Sequence, residues 1–399
     1  MSEYKILLLL DRYLPYPLSS AVMLRDLAKE LFIQGHDVTI ISGSNNITKD
    51  LDITTEENVR IVRVKSPDLK TNKFTRLLNE ISLGRRIWKQ TKDCIDYSEF
   101  DLVIYYSPTI FWAYLINKLK KSFKLKSYLV LRDIFPKWAV DLGLIRKYSL
   151  AHLFLKIHEY RLYSSADFIG VQSPKNKSYF EESLFLKFFN PEVLFNWVQP
   201  DEEANIKEIS SIRKDLNIEE KVLFLYGGNI GVAQDLDNLL KLASNLKDQK
   251  DIFFLLVGEG TEFDRLSDKI INENITNMFL MGSVSPLEFQ KIVAASDVGL
   301  ISLNRDFRTQ NIPGKIMSYI QSKKPMLASI NEDNDMFDIV HNKSGYVVLN
   351  GDNTTFIKYA IKLAEDKNLR EKMGKSGHKL LHEIFSVESA SSKILQKLS

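Results

Sequence analysis

Two glycine-rich turns and one basic loop hold the residue types from which an anion site can be built. The first turn, Gly227-Gly228-Asn229-Ile230-Gly231, follows the apolar run Val222 to Tyr226 and precedes leucines at helical spacing, Leu236, Leu239, Leu240 and Leu242. Glycines let backbone approach a phosphate, and a helix amino terminus adds free N–H groups and a partial positive charge. The second turn, Gly258-Glu259-Gly260, follows Phe253 to Val257. Both turns are expected at one sheet edge, where α/β folds bind ligands. Each is equally well a plain strand-to-helix connection, and neither has the full dinucleotide spacing. In the segment Asn304 to Ser322, Arg305 and Arg308 precede Pro313-Gly314-Lys315, where a helix is expected to begin. Three cations can there converge on a diphosphate, a solvated basic loop being the plain alternative.

Other candidates lie outside these segments. Arg132-Asp133 follows the expected strand Ser127 to Leu131. Asp133 either orients a substrate hydroxyl or serves as a helix cap or ion-pair partner of Arg132. Trp138 and Asp141 have the chemistry of a sugar site, an aromatic face for C–H groups and a carboxylate for hydroxyls, though tryptophan is more often plain packing. Asp235-Leu236-Asp237 has the form of a metal-holding Asp-x-Asp, but at an expected helix start its carboxylates cap N–H groups, so no metal is expected. His152 and His158 fall on an expected amphipathic helix, and no histidine is assigned a catalytic role. Lys118, Lys120, Lys121, Lys124 and Lys126 alternate with apolar residues, and Arg85-Arg86-Ile87-Trp88-Lys89 forms a second basic-aromatic cluster. Both are either solvated helix faces or surfaces for anionic lipid.

The elements that must position these residues read as strand-helix alternation. Short apolar runs predict parallel strands at Tyr4 to Leu10, Asp37 to Ile41, Val59 to Val64, Leu102 to Tyr106, Ser127 to Leu131 and Phe168 to Gln172. A polar, proline-bearing stretch, Asn196 to Glu203, reads as a linker. The alternation then restarts with Val222 to Tyr226, Phe253 to Val257, Met278 to Met281, Val298 to Ser302, Pro325 to Ser329 and Gly345 to Leu349, and a charged helical tail begins near Asn368. With 399 residues, 44% hydrophobic and 26% charged, two α/β domains are expected. A net charge of +3 is too small to argue for nucleic acid, and the single cysteine, Cys94, excludes an intramolecular disulfide and fits a reducing compartment. The amino terminus lacks the pattern of a secretion signal, and lysine or arginine interrupts every apolar stretch before it reaches bilayer length. Membrane contact is therefore expected to be peripheral.

In order and content, several of these segments resemble the retaining GT-B glycosyltransferases of the family that includes sucrose synthases and lipopolysaccharide sugar transferases. The pieces are Leu27-Ala28 through Gly35-His36-Asp37-Val38, Ala166-Asp167 before Ser173, Gly258-Glu259-Gly260, Gly282-Ser283-Val284, Ala295-Ser296-Asp297 and Pro313-Gly314-Lys315. More narrowly, Leu131 to Pro136, Trp138 to Gly143, Gly228-Asn229-Ile230-Gly231 with Gln234, and Ile312 to Lys315 are similar to N-acetyl-L-fucosamine transferases of O-antigen and capsule clusters. The family's two glutamates fall here on neutral Gln310 and Ser318, and its basic pair after the first glycine turn on Asn229 and Gln234.

The resemblance implies two Rossmann-like domains with parallel sheets facing across a cleft. Residues 1–195 would bind the acceptor and 200–384 the donor, with a closing helix at about 385–399 returning to the first. Lys315 and Arg308 would neutralise the leaving diphosphate, and Asp133 would position the acceptor. Donor contacts are expected from Gly228, Asn229, Gly231, Gln234, Gly258, Glu259, Gly260, Ser283, Val284, Gln310, Asn311, Pro313, Gly314 and Ser318. Acceptor contacts are expected from Ser19, Ser20, Arg132, Trp138 and Asp141. The implied partners are a nucleotide diphosphate sugar, a lipid-linked saccharide and the inner face of the cytoplasmic membrane, with no cofactor, metal or nucleic acid. A nucleotide-sugar epimerase and a non-catalytic subunit of a polysaccharide assembly complex are the rival readings, the latter motivated by Gln310 and Ser318.

Overall fold

The computed structural model describes residues 3–16, 18–67, 73–141, 143–200, 211–306 and 312–398. The chain forms two compact units, Met1–Gln199 with Ser386–Ser399, and Pro200–Phe385. Strands β1 (Lys5–Arg12), β2 (Asp37–Ser44), β3 (Leu51–Glu56), β4 (Val59–Lys65), β5 (Leu102–Tyr106), β6 (Lys126–Leu131), β7 (Phe168–Val171) and β8 (Glu192–Val193) lie in the first unit. They form one sheet in the order β3-β4-β2-β1-β5-β6-β7-β8, parallel except where β3 meets β4. Period-two alternation sorts its side chains: Leu7, Leu9, Val103 and Leu129 join the core on one face, Ile6, Leu8, Ile104 and Val130 that on the other. Burial on both faces is why these strands read as unbroken apolar runs.

The helix Ser19–Ile33 buries Leu24, Leu27, Ala28 and Leu31, and Gly35, at φ +89°, turns the chain into β2. The closing helix Val387–Leu395 packs Val387, Ala390 and Ile394 into the same core layer. Of the expected linker, residues 201–203 lie outside the described residues, but Trp197 is buried and its indole N–H donates to the Met23 carbonyl at 2.8 Å. That part of the stretch is therefore anchored core.

The second unit carries β9 (Val222–Gly227), β10 (Ile252–Val257), β11 (Met278–Met281), β12 (Val298–Ser302), β13 (Met326–Ile330) and β14 (Gly345–Leu349), all parallel, in the order β11-β10-β9-β12-β13-β14. One device sets register in both sheets. Asp101, Asp167 and Asp297 each stand just before a strand and accept a hydrogen bond from an amide at the start of its neighbour, Lys5 at 2.8 Å, Ser127 at 2.9 Å and Leu223 at 2.8 Å. Each aspartate's own N–H donates back to the carbonyl of that same residue. Asp297 is held in turn by the Arg213 guanidinium, which also reaches the carbonyls of Ala295 and Lys221 at 2.7 Å. Asp297→Ala leaves a strand amide and a half-buried guanidinium without this partner, and should cost about 2 kcal/mol of stability. Urea unfolding followed by far-UV circular dichroism measures it, because Trp88, Trp112, Trp138 and Trp197 all lie in the first unit.

Candidate functional site

In the second unit β9, β10 and β11 end level, Val257 pairing with both Gly227 and Met281. The turns that follow therefore meet at one edge, as the loops of an α/β sheet do at a ligand crevice. They interlock. A Cβ on Gly258 would stand 1.9 Å from the Gly228 carbonyl oxygen, and one on Gly260 2.2 Å from that of Ile230. Gly228 (φ +125°) and Gly260 (φ +156°) also need the left-handed region that glycine adopts freely. The Ile230 N–H donates to the Glu259 carbonyl at 2.8 Å, and the Glu262 N–H to that of Ile230 at 3.0 Å.

Over these turns lies a cavity of about 570 Å³. Gly228, Asn229, Gly258, Glu259, Ser283, Val284, Gly314, Lys315 and Ser318 line it. Among the remaining expected donor residues, Gln234 accepts from the Asn229 side-chain amide at 2.8 Å, and Gly231 lies beside that amide. These two position Asn229 without lining the cavity. Gly260 belongs to the interlock, and Pro313 leads into the helix Ile316–Gln321. Arg308, Gln310 and Asn311 lie outside the described residues. Arg305 is exposed, its guanidinium beside Gly351, and does not line the cavity.

Among the described residues one basic and one acidic side chain line the cavity, Lys315 and Glu259. The Lys315 ammonium sits 3.7 Å from the centroid of the Tyr226 ring, and no carboxylate pairs with it among the described residues. Burial pushes its pKa down to about 7, because the charged form has lost water and gained only a ring face. Glu259, the nearby carboxylate, accepts from the Ser283 hydroxyl at 3.0 Å. Asp237, one of the two aspartates with metal-site spacing, is held by Arg265 at 2.6 Å and Lys269 at 2.5 Å, and its carboxyl is lowered by Arg265 first. Asp235 accepts from the Asn350 amide at 2.8 Å.

Sequence reasoning missed Tyr226 and Phe289. Phe289 lines the cavity and fills the space beside Gly227, where a Cβ would stand 2.1 Å from its ring. Its signal was present: Ser285-Pro286-Leu287-Glu288 is a helix start, and Ser285 accepts from the Glu288 N–H at 3.2 Å.

In the first unit Asp133 follows β6, and burial raises its carboxyl above the ordinary range against the opposing Arg132 charge. Arg132 is buried. Its guanidinium donates to the carbonyls of Leu194 and Phe195 and lies 4.9 Å from the Trp197 ring centroid, so it fastens the chain's own backbone. It forms no ion pair with Asp133 among the described residues. Trp138 is exposed beside Phe135, and Asp141 pairs with Lys137 at 2.6 Å. Ser19 and Ser20 open the first helix without a side-chain cap. Asp11, at the end of β1, was missed; burial raises its carboxyl, and its signal was a lone acid closing the Leu-rich first strand.

Residues 208–380 match the model of the family described as Glycosyl transferases group 1. Two curated relatives match as well. The chain is 25% identical over 232 residues to the probable glycosyltransferase WbjE of Pseudomonas aeruginosa, covering 56% of this chain and 55% of that protein. It is 23% identical over 230 residues to the putative colanic acid biosynthesis glycosyl transferase WcaI of Escherichia coli K12, covering 55% of each. The chain thus spans about half the length of the curated relatives it matches. Among solved structures, the E. coli trehalose-6-phosphate protein bound with UDP-2-fluoro glucose superimposes with a TM-score of 0.73 at 13% identity, over 99% of this chain and 98% of that one. The two parallel-sheet units are those of the GT-B fold.

A diphosphate entering this cavity requires the charged form of Lys315, so binding should take up a proton. Above the free-state value of about 7, affinity for a nucleoside diphosphate should fall by up to roughly tenfold per pH unit, and Lys315→Arg should flatten the profile. Calorimetric titration in buffers of different ionisation enthalpy reads both the affinity and the proton uptake.

Proposed function

We propose that this chain is a glycosyltransferase that moves a sugar from a nucleotide diphosphate donor to a lipid-linked saccharide in the synthesis of an O-antigen or capsule type polysaccharide. The observation that carries the reading is the cavity over the interlocked glycine turns, with Lys315 half-buried in it and, among the described residues, unpaired by any carboxylate. The family match over residues 208–380, two relatives named as glycosyl transferases and a nucleotide sugar bound in a protein of the same fold support it.

In this reading the donor diphosphate lies over Gly228 and Gly258, and Lys315 with Arg308 neutralises the charge that develops as it leaves. Ser283, Val284, Gln310, Asn311 and Ser318 hold the nucleotide and sugar. Asp133 orients the acceptor hydroxyl, its raised basicity suiting it to take the proton, while Ser19, Ser20, Trp138 and Asp141 hold the acceptor saccharide. Arg132 acts at one remove, by fixing the Leu194–Phe195 backbone. The anomeric configuration is retained, no metal takes part, and the donor sugar is an N-acetylated deoxyhexose such as N-acetyl-L-fucosamine. Among the described residues no helix is long and apolar enough to cross a membrane, and the enzyme works from the cytoplasm as a peripheral protein of the inner membrane.

Product formation with membrane extract and a panel of nucleotide sugars tests the reading. Wild type should transfer label to extractable lipid, and Lys315→Ala and Asp133→Ala should each lower turnover by roughly a hundredfold or more. Isomerisation of a nucleotide sugar without acceptor would replace this reading by an epimerase. Donor binding without any turnover would replace it by a non-catalytic subunit.

A further inference from the structure

The helix Leu150–Ser165 is apolar on two sides. Leu155, Leu162 and Tyr163 enter the core of the first unit. On the other side Leu150, Leu153, Phe154, Ile157 and Tyr160 recur at spacings of three and four and stand open to solvent, Leu150 at 86%. A neighbouring loop adds Leu184, Phe185 and Phe188, exposed by 75, 78 and 79%. Helix and loop form one surface, for Leu153, Ile157 and Tyr160 share the walls of a cavity of about 430 Å³ with Phe185 and Leu186. Tyr148, 83% exposed, extends it past the helix start. An apolar area of this extent on a water-soluble surface marks a contact site.

Charge selects the occupant. Arg146, Lys147, Lys156, Arg161 and Lys187 border the apolar stripe. The helix's single carboxylate, Glu159, is buried and held by Lys156 and by the Tyr163 hydroxyl at 3.1 Å. On the helix Pro174–Glu182, which leads into the loop, Glu181 is paired with Lys177 at 3.5 Å and Glu182 is exposed, one acid against the five bases of the rim. Protruding aromatic and aliphatic tips inside a cationic rim suit the headgroup level of an anionic bilayer. The basic clusters singled out in the sequence do not offer this. Ile87, Leu119 and Leu125 are core, Lys120 pairs with Asp167 at 2.6 Å, and Lys118 lies 5.2 Å from the centroid of the Trp88 ring. Their apolar residues face inward, which leaves lysines over solvent.

We infer that the Leu150–Tyr160 stripe and the Leu184–Phe188 loop seat the first unit on an anionic membrane surface, the helix lying in the interfacial plane. The inference builds on the lipid-linked acceptor proposed above, but its test needs no turnover. Flotation of the full chain with vesicles of phosphatidylcholine, alone or mixed with phosphatidylglycerol, should show capture by the mixed vesicles that weakens with added salt. Phe185→Ser with Phe188→Ser, at positions whose exposure leaves the fold intact, should weaken capture at least about tenfold. Arg146→Glu with Lys147→Glu should also weaken it, while Lys118→Glu with Lys121→Glu should leave it unchanged. Failure of wild type to float with the mixed vesicles overturns the inference, as does unaltered flotation of the double serine variant. So does conversion of a dimer to a monomer by that variant in gel filtration, which would assign the stripe to a second copy of the chain. Transfer to a water-soluble acceptor, measured in parallel, separates the two claims: flotation without transfer removes the enzyme reading alone, and transfer without flotation removes the docking surface alone.

Discussion

The second unit's binding edge depends on how closely two main-chain turns pack. Gly258 lies so near the Gly228 carbonyl that even a methyl group would collide with it, and Gly260 stands in the same relation to Ile230. With no side chains between them, the turns share hydrogen bonds and hold a fixed shape, and the cavity over them is lined by backbone as much as by side chains. The glycines thus have a packing reason that is independent of any ligand. A floor suited to a phosphate is what that packing leaves exposed.

Two basic residues, Arg132 buried and Lys315 half-buried, show how the chain separates structure from chemistry. The Arg132 guanidinium donates from its two terminal nitrogens to two carbonyls and lies over an indole face, although its Nε is buried without a partner among the described residues. Among the described residues Lys315 has the face of Tyr226 and no carboxylate partner. A lysine withdrawn from water and given no anion gives up its charge near neutral pH, and an anionic guest would restore that charge.

The buried parallel strands were legible because burial on both faces leaves a run of apolar residues that no other element shows at that length. The two strands that escaped notice lack that signature. β3 is a half-exposed edge strand, Leu-Asp-Ile-Thr-Thr-Glu, joined to β4 through Glu57 and Asn58, which adopt positive φ without the glycine that normally announces such a turn. β8 has two residues. In the candidate site, the turns were readable from glycine and strand position. Tyr226 and Phe289 were not, since an aromatic at a strand end or in a helix's first turn looks like core until its neighbours are known. The helix Leu150–Ser165 was read as amphipathic, whereas its apolar residues cover two faces, a distinction that only burial against a known core can make.

The chain leaves the first unit just after Val198 and re-enters it at Ser386, and these two points touch: the Val387 N–H donates to the Val198 carbonyl at 3.1 Å, beside a parallel bridge between Val198 and Ser386. The second unit is thus inserted like a cassette, with its entrance and exit side by side. Only a short peptide would be needed to close the first unit over the gap. Two crossovers at that junction would exchange the second unit whole without cutting either sheet, and would leave the first unit's exposed apolar stripe untouched.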